Sequence, residues 1–182
     1  TPKYLGICVV GVIDTLDFIC KNLSRNIRKN HRFSDINTVC NFPDWNGHRH
    51  YLDVGEMAAA VALGYDWLYA DLKPETRANA ERALREYAFD TAEPYGSSFY
   101  NKVSNWNQVC NAGLVCGALA VYETCPETAE AIIEKSLESN RTAVEALYAP
   151  HGNYPEGYGY WEYGTVFEVL MLTALETAAG SD

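Results

Sequence analysis

The sequence predicts an all-α fold arranged as an incomplete α/α toroid of about six helices. Three observations carry that prediction. Apolar residues recur with the 3.6-residue period of helices, and no run with the two-residue alternation of strands rises above it. Nearly apolar helices alternate with helices charged on one face, as an inner and an outer layer would. Long connections alternate with short ones, which gathers the long loops at one end.

The first helix is expected from about Gly6 to Arg28, with Val9, Ile13, Leu16, Ile19, Cys20 and Leu23 on one stripe. A polar loop follows from His31 to His50, containing Pro43, Gly47 and turn-forming Asn and Asp. Leu52 to Tyr69 makes the second helix, rich in alanine and apolar nearly all round. Lys73-Pro74-Glu75 opens the third, with proline in its first turn, running to about Phe89. Ala92 to Val103 reads as a loop, and Ser104 as the N-cap of a fourth helix reaching Tyr122. Pro126 opens the fifth, to about Tyr148. Ala149 to Tyr160 is a loop loaded with glycine and aromatics, and the sixth helix then runs to Ala179, stopped by Gly180. Loops beyond about 12 residues in a compact domain are usually functional or disordered. These are rich in Trp, Tyr, His and Asn, a composition for contact.

Composition bounds the function. The chain has 182 residues, 48% apolar and 13% aromatic, which fits one domain with a real core and rules out a disordered chain. With 24 acidic against 14 basic side chains the net charge is −10, which argues against non-specific nucleic-acid binding. The longest apolar stretch, Leu5 to Cys20, carries Asp14 and Asp17 and is not a transmembrane helix. No membrane partner is expected. The six cysteines include Cys8, Cys20, Cys110 and Cys116 within apolar helical patterns, where a free thiol serves as a small hydrophobe. No CxxC pair and no Cys/His cluster with zinc spacing calls for a metal. Asn22-Leu23-Ser24 and Asn140-Arg141-Thr142 match the N-glycosylation pattern.

Three segments carry chemistry. One is Asn105-Trp106-Asn107-Gln108 at the entry to the fourth helix. A second is Pro150-His151-Gly152-Asn153-Tyr154-Pro155-Glu156-Gly157-Tyr158-Gly159-Tyr160-Trp161-Glu162-Tyr163-Gly164. The third is His48-Arg49-His50-Tyr51-Leu52-Asp53, running into Gly64-Tyr65-Asp66-Trp67-Leu68-Tyr69. Asn105 and Gln108, three apart at a helix N-terminus, share a face where the helix dipole favours an anion. The plain structural alternative is that Asn105 caps the helix and Gln108 is a solvated first-turn residue.

In this combination and order, from about His48 to Gly180, the segments resemble the helical domain of the heparinase II/III-like polysaccharide lyases. The resemblance implies β-elimination at a uronic acid. Taking the proton at C5 requires the adjoining carboxylate to be neutralised, a base for the proton and an acid for the leaving oxygen. By that resemblance Asn105 is the neutraliser, Gln108 its companion and Tyr160 the catalytic tyrosine, with Asn107 and Tyr158 as neighbouring candidates. Trp106, Trp161, Tyr154, Tyr158 and Tyr163 offer flat faces for sugar rings. Packing is the better reading for Trp67 and Tyr69. Glu156 takes a supporting role, orienting its loop. His48, Arg49 and His50 end a long loop and are candidates to hold an acidic sugar, although a lone histidine on a loop is more often simply solvated. Lys21, Arg25, Arg28, Lys29 and Arg32 place 5 of the 14 basic residues in one dozen positions, more simply a solvated helix end than a polyanion site.

The resemblance further implies an acidic polysaccharide partner, no cofactor, and a periplasmic or secreted location. The family's lyases draw a histidine and further tyrosines from a β-rich domain after the helical one. The chain is therefore expected to be a fragment, residues 1–182 forming a single partial toroid that does not turn over substrate alone. Two other functions compete. A toroid glycoside hydrolase would use paired carboxylates among Glu156, Glu162 and Asp66. A non-catalytic carbohydrate-binding domain would use the aromatic surface alone.

Overall fold

The protein is described by a computed structural model covering residues 36–180. The helix expected over Gly6–Arg28, with Cys8, Cys20, the Asn22 triplet and the basic run, lies outside the described residues. Within them the chain is all-α, with no strand and six α-helices: α1 (Tyr51–Leu68), α2 (Pro74–Ala83), α3 (Asp90–Tyr95), α4 (Asn105–Ala120), α5 (Pro126–Tyr148) and α6 (Tyr158–Ala179). A short helical segment, residues 36–40, precedes them.

α4 is the central element and packs against α1, α5 and α6. Val109, Ala112, Leu114, Val115 and Ala118 along it have no exposed surface, as its uniformly apolar sequence requires. Its contact with α1 is backbone on backbone. A Cβ built on Gly113 would lie 2.0 Å from Gly55 O, and one built on Gly55 would lie 2.9 Å from Cys110 Cα. Two glycines facing each other thus set the depth at which these helices meet.

The third expected helix departs from expectation. It does not stop at Phe89. A π-helical segment, Leu84–Phe89, joins α2 to α3, and a 3-10 turn at Gly96–Ser98 follows, so most of the loop expected over Ala92–Val103 is helical. Ala80, Leu84, Ala88, Ala92 and Gly96 are all buried, one every fourth residue. In regular α geometry each such step drifts by about 40° around the axis, and the wider π turn takes up the drift. The Ala88 carbonyl there accepts hydrogen bonds from Tyr51 Oη at 2.7 Å and Thr91 Oγ1 at 3.1 Å. Pro94 sits in α3 without ending it, because Ala92 keeps the helix docked on the core.

α5 has the expected bounds. α6 begins at Tyr158, two residues before the expected end of the loop, and is closed by Gly180 at φ 61° with its N–H on Glu176 O at 3.1 Å. Trp67 and Tyr69, expected to pack, are 43% and 45% exposed. They lie at the C-terminal end of α1, where Tyr65 and the Arg77 guanidinium meet the Tyr69 ring. Cys110 and Cys116 are buried free thiols as expected, and so is Cys40. Burial pushes the Cys40 and Cys116 thiols up to about 12. Asn140 is 6% exposed and donates to Glu168 Oε2 at 2.8 Å, so the folded chain offers no glycan acceptor there.

Candidate functional site

The N-terminal ends of α1, α4 and α6 meet at one end of the molecule. His50, the residue before α1, sets its ring edge-on to Trp106 in the first turn of α4, with centroids 4.9 Å apart. Glu156, two residues before α6, reaches Asn105, the first residue of α4. The three helices that pack side by side therefore run parallel and bring three entry loops together. Parallel dipoles make this end the electropositive end of the layer.

Asn105 is 2% exposed, and both of its nitrogens bond Glu156. Its main-chain N–H donates to Glu156 Oε2 at 2.6 Å and its Nδ2 to Glu156 Oε1 at 2.8 Å. A carboxylate thus fills the position that Ser104 was expected to cap. Ser104 is the residue before the helix, but its hydroxyl makes no capping bond. The Asn105 Nδ2 has a second hydrogen, and its Oδ1 is buried without a donor.

Gln108 and Asn107 lie deeper, both with no exposed surface. Tyr154 Oη donates to Gln108 Oε1 at 2.8 Å, while Gln108 Nε2 lies 3.3 Å from Tyr148 Oη and 3.4 Å from Glu168 Oε2. Gly164 leaves room for this amide, since a Cβ there would come within 2.3 Å of Gln108 Oε1. Asn107 Nδ2 reaches Phe99 O and Tyr100 O at 3.2 Å and Ser139 Oγ at 2.9 Å. Both side chains tie α4 to its neighbours and present no surface to a ligand, so the face that Asn105 and Gln108 were expected to share points inward.

The exposed residues of the site are the aromatics. Tyr158 is 73%, Tyr160 54% and Trp161 38% exposed, and the Tyr158 and Trp161 rings lie 5.6 Å apart. Tyr160 belongs to the first turn of α6, which directs it more firmly than the expected loop would. Trp106 is half-buried, and His48 and Arg49 are exposed on the turn before α1.

A group not singled out from the sequence lies beneath. Tyr163 Oη donates to Glu56 Oε1 at 2.6 Å; Glu56 is 2% exposed, and its Oε2 has no donor. Burial raises the Glu56 carboxyl above its ordinary value, with the nearby Asp53 charge adding to it and the Tyr163 bond opposing. Burial also raises the Tyr163 phenol, helped by Glu56. Asp53, 5% exposed, is bracketed by His50 Nδ1 at 2.6 Å and Asn46 Nδ2 at 2.8 Å. The signal for this group was two carboxylates inside a helix with almost no polar face. Among the described residues no three His, Cys, Asp or Glu side chains converge as metal ligands, and no helix is long and apolar enough to cross a membrane. No protein-family model matches the chain, and no curated protein matches it.

Proposed function

We propose that this chain is the helical part of a periplasmic or secreted polysaccharide lyase that cleaves a uronic-acid polymer by β-elimination. The observation that carries the reading is the carboxylate already bound at the head of α4. Asn105 holds the Glu156 carboxylate through its N–H and its amide, which marks this helix end as a receptor for that group. Glu156 in turn fixes the amide plane of Asn105, which is itself 2% exposed, so the carboxylate of a bound uronate gains the second Nδ2 hydrogen by displacing the loop before α6. Hydrogen bonding to that carboxylate stabilises the charge that builds up when C5 loses its proton. Tyr160, exposed in the first turn of α6, is the candidate for proton transfer, and Tyr158, Trp161 and Trp106 offer faces for the sugar rings. Parallel packing of α1, α4 and α6 supports an inner toroid layer.

Paired carboxylates fit hydrolysis less well. Glu56 is protonated more readily than an ordinary glutamate, but its free oxygen has no surface for a sugar to touch. Asp66 lies 13 residues beyond Asp53 on α1, about 20 Å along the axis and away from Glu156. The exposed aromatic cluster favours one second reading, a non-catalytic carbohydrate-binding domain. The two are separated by product. Incubated with unsulfated and sulfated uronate polymers, the intact protein is expected to release unsaturated uronate, read by its near-ultraviolet absorbance, and Tyr160→Phe is expected to abolish that release with helicity unchanged. Polymer binding without any unsaturated product would select the binding domain instead.

A further inference from the structure

His50 makes contacts that helix capping does not explain. It precedes α1, yet its side chain makes no capping bond. Its Nδ1 instead lies 2.6 Å from Asp53 Oδ1, and Asp53 Oδ2 accepts from Asn46 Nδ2 at 2.8 Å. A carboxylate only accepts, so Nδ1 carries the proton and Nε2 of the neutral ring carries the lone pair. The imidazole side chain is 34% exposed, and the carboxylate behind it 8%.

Hydrogen bonds frame this pair. Asn46 holds φ 62°, the left-handed conformation that asparagine adopts more readily than most residues, and from it Nδ2 reaches Asp53. The Asn46 N–H donates to Asp44 Oδ1 at 2.7 Å, and its carbonyl accepts from the Arg49 and His50 N–H groups, each at 3.0 Å. Trp45, 3% exposed, anchors the same loop through Nε1 to Val39 O at 3.0 Å. The imidazole also meets Trp106, the neighbour of Asn105. The ionisable groups facing it are Asp53 and Glu56 of α1, with Tyr163 of α6 bonded to Glu56.

We infer that His50 is the base that removes the C5 proton of the uronate, with Asp53 and Asn46 as its positioning residues. This rests on the lyase reading above. The Nε2 lone pair takes the proton from C5, and the C5–H electron pair becomes the C4–C5 double bond. The C4–O bond breaks with its pair passing to the glycosidic oxygen, which takes the Tyr160 phenolic proton. Imidazolium then returns its proton to water and the phenolate regains one, so nothing is oxidised or reduced.

The base step can be read apart from cleavage. The intact protein is incubated in D2O with tetrasaccharides of mannuronate, guluronate and hyaluronan, deuterium at C5 is followed by proton NMR, and unsaturated product by absorbance. Exchange at C5 needs only the base and the carboxylate receptor, whereas cleavage also needs the acid. His50→Ala and His50→Gln are expected to lose exchange by about 100-fold or more while binding the tetrasaccharide within about threefold of wild type. Added imidazole is expected to restore exchange in His50→Ala by about tenfold. Exchange in either variant within about threefold of wild type, or a loss that imidazole does not restore, overturns the assignment and leaves the lyase reading standing. Intact wild-type protein that exchanges without cleaving upholds His50 and removes Tyr160 as the acid. Intact wild-type protein that binds a tetrasaccharide and neither exchanges nor cleaves overturns the lyase reading, and the role of His50 with it.

Discussion

Glu156 holds Asn105 by both of its nitrogens, from a position 51 residues further along the chain. The bond pair joins the loop before α6 to the first residue of α4, and it replaces the local cap that Ser104 does not make. A charged acceptor on a helix N–H is stronger than a neutral one and is further favoured by the dipole.

Removing that carboxylate is expected to cost about 1–2 kcal/mol, as loss of an N-cap does. In a domain of this size Glu156→Ala should then lower the melting temperature by about 2–8 °C. Glu156→Gln keeps one acceptor and should fall between. The same variants decide how Glu156 relates to a ligand. If it orients the Asn105 amide, uronate oligosaccharides bind Glu156→Ala more weakly, as titration calorimetry would read. Tighter binding would instead make Glu156 a competitor for the helix end.

The α1–α4 contact at Gly55 and Gly113 makes a second prediction. A methyl at Gly113 meets the Gly55 carbonyl at 2.0 Å, and neither backbone can yield without parting the helices. Gly113→Ala should cost about 1–3 kcal/mol, although alanine is the better helix former. Gly159 in α6 has open space around it, so Gly159→Ala should be neutral or gain up to about 1 kcal/mol. Chemical denaturation of both variants checks the pair, and equal effects would mean that the close approach is not what fixes these helices.

How far the sequence reached depended on whether the deciding interactions were local. The bounds of α5 and the apolar character of α1, α4 and α6 follow from periodicity and from Pro126, all within a few residues of the point decided. The passage from α2 into α3 departs from the loop expected over Ala92–Val103, because the stripe of buried residues every four positions continues past Pro94 to Gly96. Asn105 was singled out correctly as a helix-entry residue, yet its partner lies in another loop and no spacing rule pairs them. Asn107 and Gln108 are adjacent in sequence to exposed Trp106, and only tertiary packing shows them wholly buried. Tyr163 was read as a flat face for sugars; its hydroxyl turns inward to Glu56.

That buried Glu56 predicts a pH dependence with a definite sign. Its folded carboxyl holds a proton more tightly than the ordinary 4.5, chiefly through burial. Above 4.5 the unfolded chain ionises first, so the stability this group contributes is full at lower pH and is lost as pH rises through the raised folded value. Glu56→Gln keeps an acceptor for Tyr163 and cannot ionise. Its melting temperature should be higher than wild type near pH 8 and should fall less between about pH 4 and 8. Glu168, also raised by burial, acts with the same sign, so the slope is reduced without vanishing. Parallel melting curves for the two proteins would show that Glu56 ionises normally in the folded state.

Two tryptophans of nearly equal exposure stand at opposite ends of the parallel layer, Trp161 at 38% in the first turn of α6 and Trp67 at 43% in the last turn of α1. Trp67 lies 16 residues beyond Tyr51, about 24 Å along α1 from the end where the three loops meet. If sugars stack at that end, Trp161 matters to them and Trp67 does not. Trp161→Ala should weaken uronate oligosaccharide binding by about threefold to tenfold, in keeping with about 0.5–1.5 kcal/mol for a ring contact, and Trp67→Ala should leave it unchanged. Quenching of tryptophan fluorescence by the ligand gives an independent reading, because it should fall in Trp161→Phe, leaving the part due to Trp106, and persist in full in Trp67→Phe. Loss of binding with Trp67→Ala would move the carbohydrate surface to the other end of the helices, away from Asn105, His50 and Tyr160 together.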